Sequence, residues 1–295
     1  MKESKKATLV RRRTPGITAK MIENTENSFP PDSPADEQPA DGHAAGEQPA
    51  GEHPAVDYPA DARIDNQGED TFEAALARYG MELDEPLAAS LKTYAETMWR
   101  FNEQLNLTRH TTWDLFVGRD LRDCLQLAHL IQPDEEILDL GSGNGVPGIP
   151  LAIIRPDIEV SLAESVGKRA KVLDELVTEL NLNVPVYAAR GEHLLDDFRF
   201  TTIVSRAVGS LLKFCRWVEP HWGSFDRLLL VKGPKWIEER GEARHHGVLK
   251  GLELRVVASY PLGNPLEAEE TIDTDPASGS GEGVILQLSR KGHLT

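Results

Sequence analysis

The stretch from Ile137 to Pro150 reads ILDLGSGNGVPGIP. A short apolar run (Ile137, Leu138, Leu140), interrupted by Asp139, ends in three alternating glycines, Gly141, Gly143 and Gly145, and Pro147 and a second apolar segment follow. The pattern predicts a buried strand, a tight turn of residues lacking Cβ, and a helix with proline in its first turn. Such a turn lets a ligand lie directly against backbone. The next apolar run ends in Glu164, 23 residues beyond Gly141. That offset is close to the one at which a carboxylate receives ribose hydroxyls in nucleotide-binding α/β folds.

The residues discriminate among ligands. A P-loop needs a GK[ST] ending, and none follows this turn. Gly143, Gly145 and Gly148 satisfy a dinucleotide fingerprint, but that register starts two residues late and places Pro147 inside the helix-docking segment. The earlier register, Gly141 to Gly145 with Ser142 between, sits closer to the strand and fits S-adenosyl-L-methionine. This cofactor has no pyrophosphate to cradle, and its sulfonium cation suits Asp139. Glu164 serves either ligand, since both carry a ribose.

Stepping outward, order is expected from Thr71. Phe72, Ala75, Leu76 and Tyr79 recur at helical spacing. A second helix opens at Asp84 with Pro86 behind it, and Leu87, Leu91, Tyr94, Met98, Phe101 and Leu105 mark one face. A third is read from Trp113 to Leu130. Strands are read at 137–140, 158–163, 185–188, 201–205, 226–231, 253–260 and 284–290, with helices between, notably 168–181 and 210–219. Alternation of this kind predicts a mostly parallel sheet covered on both faces. Only an acidic Gly/Ser-rich stretch separates the last two strands, so an antiparallel hairpin should end the sheet. The expected fold is a Rossmann-like, doubly wound methyltransferase domain over 133–295, preceded by a helical region over 71–132. Residues 1–70 are poor in apolar side chains, repeat EQPA and Pro-Ala steps, and are expected to be disordered.

Charge and cysteine usage narrow the classes. The chain carries a net charge of −16, of which residues 1–70 contribute −6 and the expected loop 264–283 another −6, leaving −4 for the body. A nearly balanced body can present a basic face. No apolar run is long enough to span a bilayer, and the basic start has no apolar block after it. Cys124 and Cys215 have no CxxC or His-spaced partner. Reduced thiols in the cytoplasm, no metal site, no membrane partner and a monomer are expected.

Several segments occur together in order: DLGSGNGVPGIPLAIIRP, ESVGKRAKVLDEL, ARGEHL, IVSRAVGSL and LLLVKG. With WRFNEQLNLT upstream, the chain resembles the RsmG (GidB) family of 16S ribosomal RNA methyltransferases over about 72–263 and the final strand. The resemblance implies methyl transfer to N7 of a guanine in small-subunit RNA, at the position numbered 527 in that RNA, with RNA or the small subunit, and no DNA, as partner. It implies cofactor contacts at Gly141, Val146, Gly191, Glu192 and Arg206. The family's helix usually reads Arg-His-x-x-Asp-Ser; here Asp120 stands in the His place and Cys124 in the Ser place, while Asp123 matches.

N7 of guanine has a free lone pair and no proton, so no general base is expected and the enzyme's task is placement. Arg206 is the candidate to position the base and touch the cofactor, with Ser142, Gly143, Gly145 and Glu164 completing the cofactor set. A basic RNA rim is expected from Lys168, Arg169, Arg190 and Lys232, with Asn106 and the following Arg109 and His110 nearby. Two alternatives stay open: a methyltransferase of another substrate, and a non-catalytic RNA-binding factor with the same fold.

Overall fold

The computed structural model describes residues 70–206, 209–262 and 282–292. The tail read over 1–70 and the loop read over 264–283 lie outside the described residues, apart from Asp70, Glu282 and Gly283.

Local signals set the first helices. Helix α1 (Phe72–Arg78) is capped by Thr71, whose hydroxyl accepts the Ala74 N–H at 3.2 Å. Helix α2 (Glu85–Leu105) is capped by Asp84, which accepts the Leu87 N–H at 2.9 Å, and Pro86 occupies its first turn. It ends at Asn106, in the left-handed region at φ +48°. Beyond it, the continuous helix expected from Trp113 to Leu130 is divided. Helix α3 (Trp113–Leu115) and α4 (Arg122–Leu130) flank a π-helical turn, Phe116–Leu121. The wider turn buries Phe116, Val117, Asp120 and Leu121 together. Gly118 within it meets the Tyr79 ring, which a Cβ would approach to 2.3 Å.

Strands β1 (Glu136–Leu140), β2 (Glu159–Ala163), β3 (Val186–Tyr187), β4 (Phe200–Arg206), β5 (Phe225–Lys232), β6 (Leu252–Pro261) and β7 (Glu282–Arg290) form one sheet among the described residues. Its order is β3-β2-β1-β4-β5-β7-β6. The first five strands are parallel, and β7 runs antiparallel to both β5 and β6. The expected terminal hairpin is therefore present. Helices α5 (Gly148–Ile154), α6 (Gly167–Glu179), α7 (Gly191–Asp197), α8 (Leu211–Val218) and α9 (Trp236–His245) complete the fold.

Each face of the sheet carries an apolar cluster. One joins Phe72, Tyr94 and Phe116 of the helical region to Ile137, Ile149 and Leu176, so that region and the sheet share a core. The other packs Leu138, Leu195, Phe214, Phe225 and Leu286. Chain order reverses between β1 and β4, the place where open α/β sheets leave a crevice at the strands' carboxyl ends.

Candidate active site

The glycine turn closes at that crevice. Gly141, Gly143 and Gly145 adopt φ of +73°, +57° and +92°, a left-handed run that side chains with Cβ resist. Backbone N–H groups of Gly141 and Ser142 both donate to Ala163 O, at 2.9 and 3.1 Å, tying the turn to the end of β2. Ser142 Oγ donates to Asp139 O at 2.9 Å. Glu164 is buried against the turn: one carboxylate oxygen accepts the Gly143 N–H at 3.0 Å and the other the Val166 N–H at 2.8 Å. It thus joins the turn to the start of α6. From the other side, Tyr94 OH donates to Asn144 O at 3.2 Å.

Asp139 lies beneath the turn and is buried. Its Oδ2 accepts the Gly148 N–H at 3.0 Å, while Oδ1 has no hydrogen-bond partner among the described residues. Burial pushes its carboxyl pKa up to about 7, against the opposing pull of the Gly148 N–H.

A cavity of about 480 Å³ opens at the carboxyl ends of β1, β2 and β3, within the range of small-ligand sites. Of the residues expected at a cofactor site, Gly141 and Gly191 line it, and Arg190 stands at its wall. Ser142, Gly143, Gly145, Val146 and Glu164 do not line it; they build the turn beside it, with Val146 in the core. Glu192 opens α7. Sequence reasoning missed Ser165, Lys213, Phe214 and Trp217, which supply much of the remaining wall. Helix α8, which carries the last three, is capped by Ser210 and was legible, but nothing in its pattern marked Trp217 as facing a cavity. Gly191 is what admits that ring: a Cβ there would meet Leu140 Cδ1 at 2.4 Å and Trp217 Cη2 at 2.6 Å. Apolar and aromatic walls beside exposed glycine backbone fit a nucleoside, as S-adenosylmethionine carries.

Arg206 ends β4 but does not line that cavity. Its side chain meets α4 and the π-helical turn instead. Nη1 donates to Asp120 Oδ1 at 2.5 Å and to Asp123 Oδ2 at 3.2 Å. Asp120 Oδ1 also meets His110 Nδ1 at 2.7 Å, and Tyr260 OH donates to Asp123 Oδ1 at 2.7 Å. Burial alone would lower the Arg206 pKa, but the two carboxylates raise it above the usual guanidinium value. At Asp120 burial opposes ionisation, and His110 and Arg206 outweigh it, holding the pKa below the usual carboxylate value. At Asp123 burial prevails and the pKa is raised. Nε and Nη2 of Arg206 make no hydrogen bond among the described residues. Cys124, in the place of the family's Ser, is a buried thiol whose pKa burial raises.

The expected RNA rim is partly assembled. Lys168 and Arg169 are exposed at the start of α6, Arg190 is exposed at the cavity, and Asn106 turns the chain out of α2. Lys232 departs from expectation. Its Nζ donates to Gly209 O at 2.8 Å and pairs with Glu239 at 2.9 Å, and its side chain is only 10% exposed. It fastens the segment after β4 to α9, because a lysine ending an interior strand finds partners on both neighbouring elements.

Comparison with known proteins identifies the family. The model of the family described as "GidB: rRNA small subunit methyltransferase G" matches residues 87–262. A ribosomal RNA small subunit methyltransferase G of Rhodopirellula baltica is 76% identical over 224 residues, 75% of this chain and 96% of its own length. The protein of the same name from Mycolicibacterium paratuberculosis is 35% identical over 63% of this chain and 74% of its own length. Among solved structures, the 23S rRNA methyltransferase ErmE aligns at 18% identity with a TM-score of 0.41, covering 59% of this chain and 70% of its own. The chain belongs to the GidB family, the rRNA small subunit methyltransferase G proteins.

Proposed function

We propose that this protein transfers a methyl group from S-adenosylmethionine to N7 of a guanine in 16S ribosomal RNA, at the position numbered 527. The observation that carries the reading is the glycine-turn cavity at the carboxyl ends of β1, β2 and β3, with Arg206 ending the neighbouring strand β4 and keeping Nε and Nη2 without a hydrogen bond among the described residues. Gly141, Gly191, Phe214 and Trp217 would hold the nucleoside of the cofactor, and Asp139 would lie near its positive charge. When bound, that cofactor supplies an electrophilic methyl group on a sulfonium.

The protein's own residues then have one task. Guanine N7 needs no proton removed, so the rate comes from holding the base in line and close. The free arm of Arg206 is suited to donate to guanine O6, as arginine does elsewhere, leaving N7 open. Lys168, Arg169 and Arg190 would hold the RNA backbone, which makes binding weaken with salt.

The test mixes purified protein with small-subunit RNA or particles and a labelled methyl donor, then maps the modified base. Label at N7 of the single guanine numbered 527 is expected. Label on another base, or only on a protein or metabolite, overturns the substrate. Failure to bind the donor in calorimetry favours a non-catalytic RNA-binding factor.

A further inference from the structure

The Asp120–Arg206 pair is arranged in an unusual way. Arginine and a carboxylate in contact normally engage as a fork, with two parallel N–H···O bonds. Here only Nη1 of Arg206 and Oδ1 of Asp120 take part. Asp120 Oδ2 is buried with no partner among the described residues, although Nε and Nη2 of the adjacent guanidinium make no hydrogen bond there either. The contact thus leaves an unmet acceptor on Asp120 and unmet donors on Arg206 among the described residues.

His110 also engages this carboxylate. Its Nδ1 lies 2.7 Å from the same Oδ1 that Arg206 uses. The backbone that carries the imidazole is fixed in turn by the end of α2. His110 N–H donates to Thr108 Oγ1 at 3.0 Å, Trp99 Nε1 donates to His110 O at 2.7 Å, and Thr108 N–H donates to Asn102 Oδ1 at 2.8 Å. On the opposite side, Asp123 takes Nη1 of Arg206 and is itself held by Tyr260. Nη1 is therefore clamped between two carboxylates, each fixed by a further residue.

We propose that His110 is a positioning residue: by holding Asp120 Oδ1 it keeps the Asp120–Arg206 pair single-toothed and leaves the second arm of Arg206 free for the target base. Without the imidazole, Asp120 turns, engages Arg206 through both oxygens and draws the guanidinium away from the crevice. The role rests on the proposed RNA methylation for its kinetic expression, but its geometry stands apart from it.

The experiment compares His110→Ala, His110→Asn and His110→Gln with wild type, with thermal unfolding to verify folding. The asparagine amide stands where Nδ1 stands, whereas the glutamine amide reaches the Nε2 position. His110→Ala and His110→Gln should lower kcat on RNA by about 10- to 100-fold, the scale of misplacing a positioning group by an ångström, with donor affinity unchanged. His110→Asn should restore most of it. In an Arg206→Lys background, where no fork can form, His110→Ala should change kcat less than about twofold. Wild-type kcat in the alanine or glutamine variant, equal loss in the asparagine variant, or an undiminished loss beside Arg206→Lys overturns the role. Should wild type itself methylate no RNA, the substrate assignment fails instead. A crystal structure of His110→Ala, or of His110→Gln if the former does not fold, then decides: a two-toothed Asp120–Arg206 pair supports the role and an unchanged pair overturns it.

Discussion

Asp139 is a carboxyl group held inside the core beneath the glycine turn. Its raised pKa means that the folded protein keeps a proton that the unfolded chain releases near pH 4. Native protein therefore binds more protons than unfolded between about pH 4 and 7, and stability falls as pH rises through that window. The shift corresponds to about 3 to 5 kcal/mol. Urea unfolding of wild type and Asp139→Asn at pH 4 and pH 8 should show the variant gaining on wild type by an amount of that order; parallel pH profiles would refute the assignment. Arg206 behaves oppositely. Arg206→Ala removes the cation between two buried carboxylates, so a loss of about 3 kcal/mol in stability should accompany a severe loss of methyl transfer. Arg206→Lys keeps one charge on one tooth and should recover most of the stability but little of the rate. Near-normal turnover in either variant would remove Arg206 from the site.

Between residue and element lies the cavity wall. Gly191 has an ordinary helical-start conformation, so an alanine there meets no backbone strain; what it meets is Leu140 and the Trp217 ring. Overpacking of this kind costs about 1 to 3 kcal/mol. We expect Gly191→Ala to displace Trp217, weaken donor binding by about tenfold in calorimetry and alter tryptophan fluorescence; unchanged affinity would place the cofactor elsewhere. Elements with periodic apolar residues were legible in the sequence: the parallel strands, the terminal hairpin, α2 with its Asp84 cap and the glycine turn. Those without such a signal were not. Helix α9 buries only Ala243, so no apolar stripe announces it. The π-helical turn within Trp113–Leu130 packs Gly118 against Tyr79, just past the end of α1, a tertiary contact that no local pattern carries. For the same reason the sequence named Arg206 but not His110's grip on Asp120: the two partners are ten residues apart on different elements, and their meeting is set by how α2 ends.

At the scale of the whole molecule the question is which parts of an acidic chain an RNA enzyme needs. Residues 1–65 contain eight basic and twelve acidic side chains and few apolar ones. The core among the described residues begins at Phe72, with Ala75 and Leu76 behind it. Phe72 packs on Trp113 and Phe116, at ring-centroid distances of 5.2 and 6.4 Å, and Asp70 accepts the Asp114 N–H at 3.3 Å. Two truncations should therefore behave differently. Removing residues 1–65 takes away net negative charge and few large apolar side chains, so thermal midpoint and kcat should hold and KM for RNA should not rise. Removing residues 1–80 strips α1 from the aromatic cluster, and burial of Phe72 and Leu76 alone puts the loss at about 3 to 6 kcal/mol. The lost helix also uncovers Gly118, whose π-helical turn holds Asp120, so methyl transfer should fall in the longer truncation before the protein unfolds. Measuring midpoint and kcat across a temperature series in both truncations checks this. Equal stability of the two would show that α1 is dispensable, and an inactive shorter truncation would show that the first 65 residues take part in the reaction.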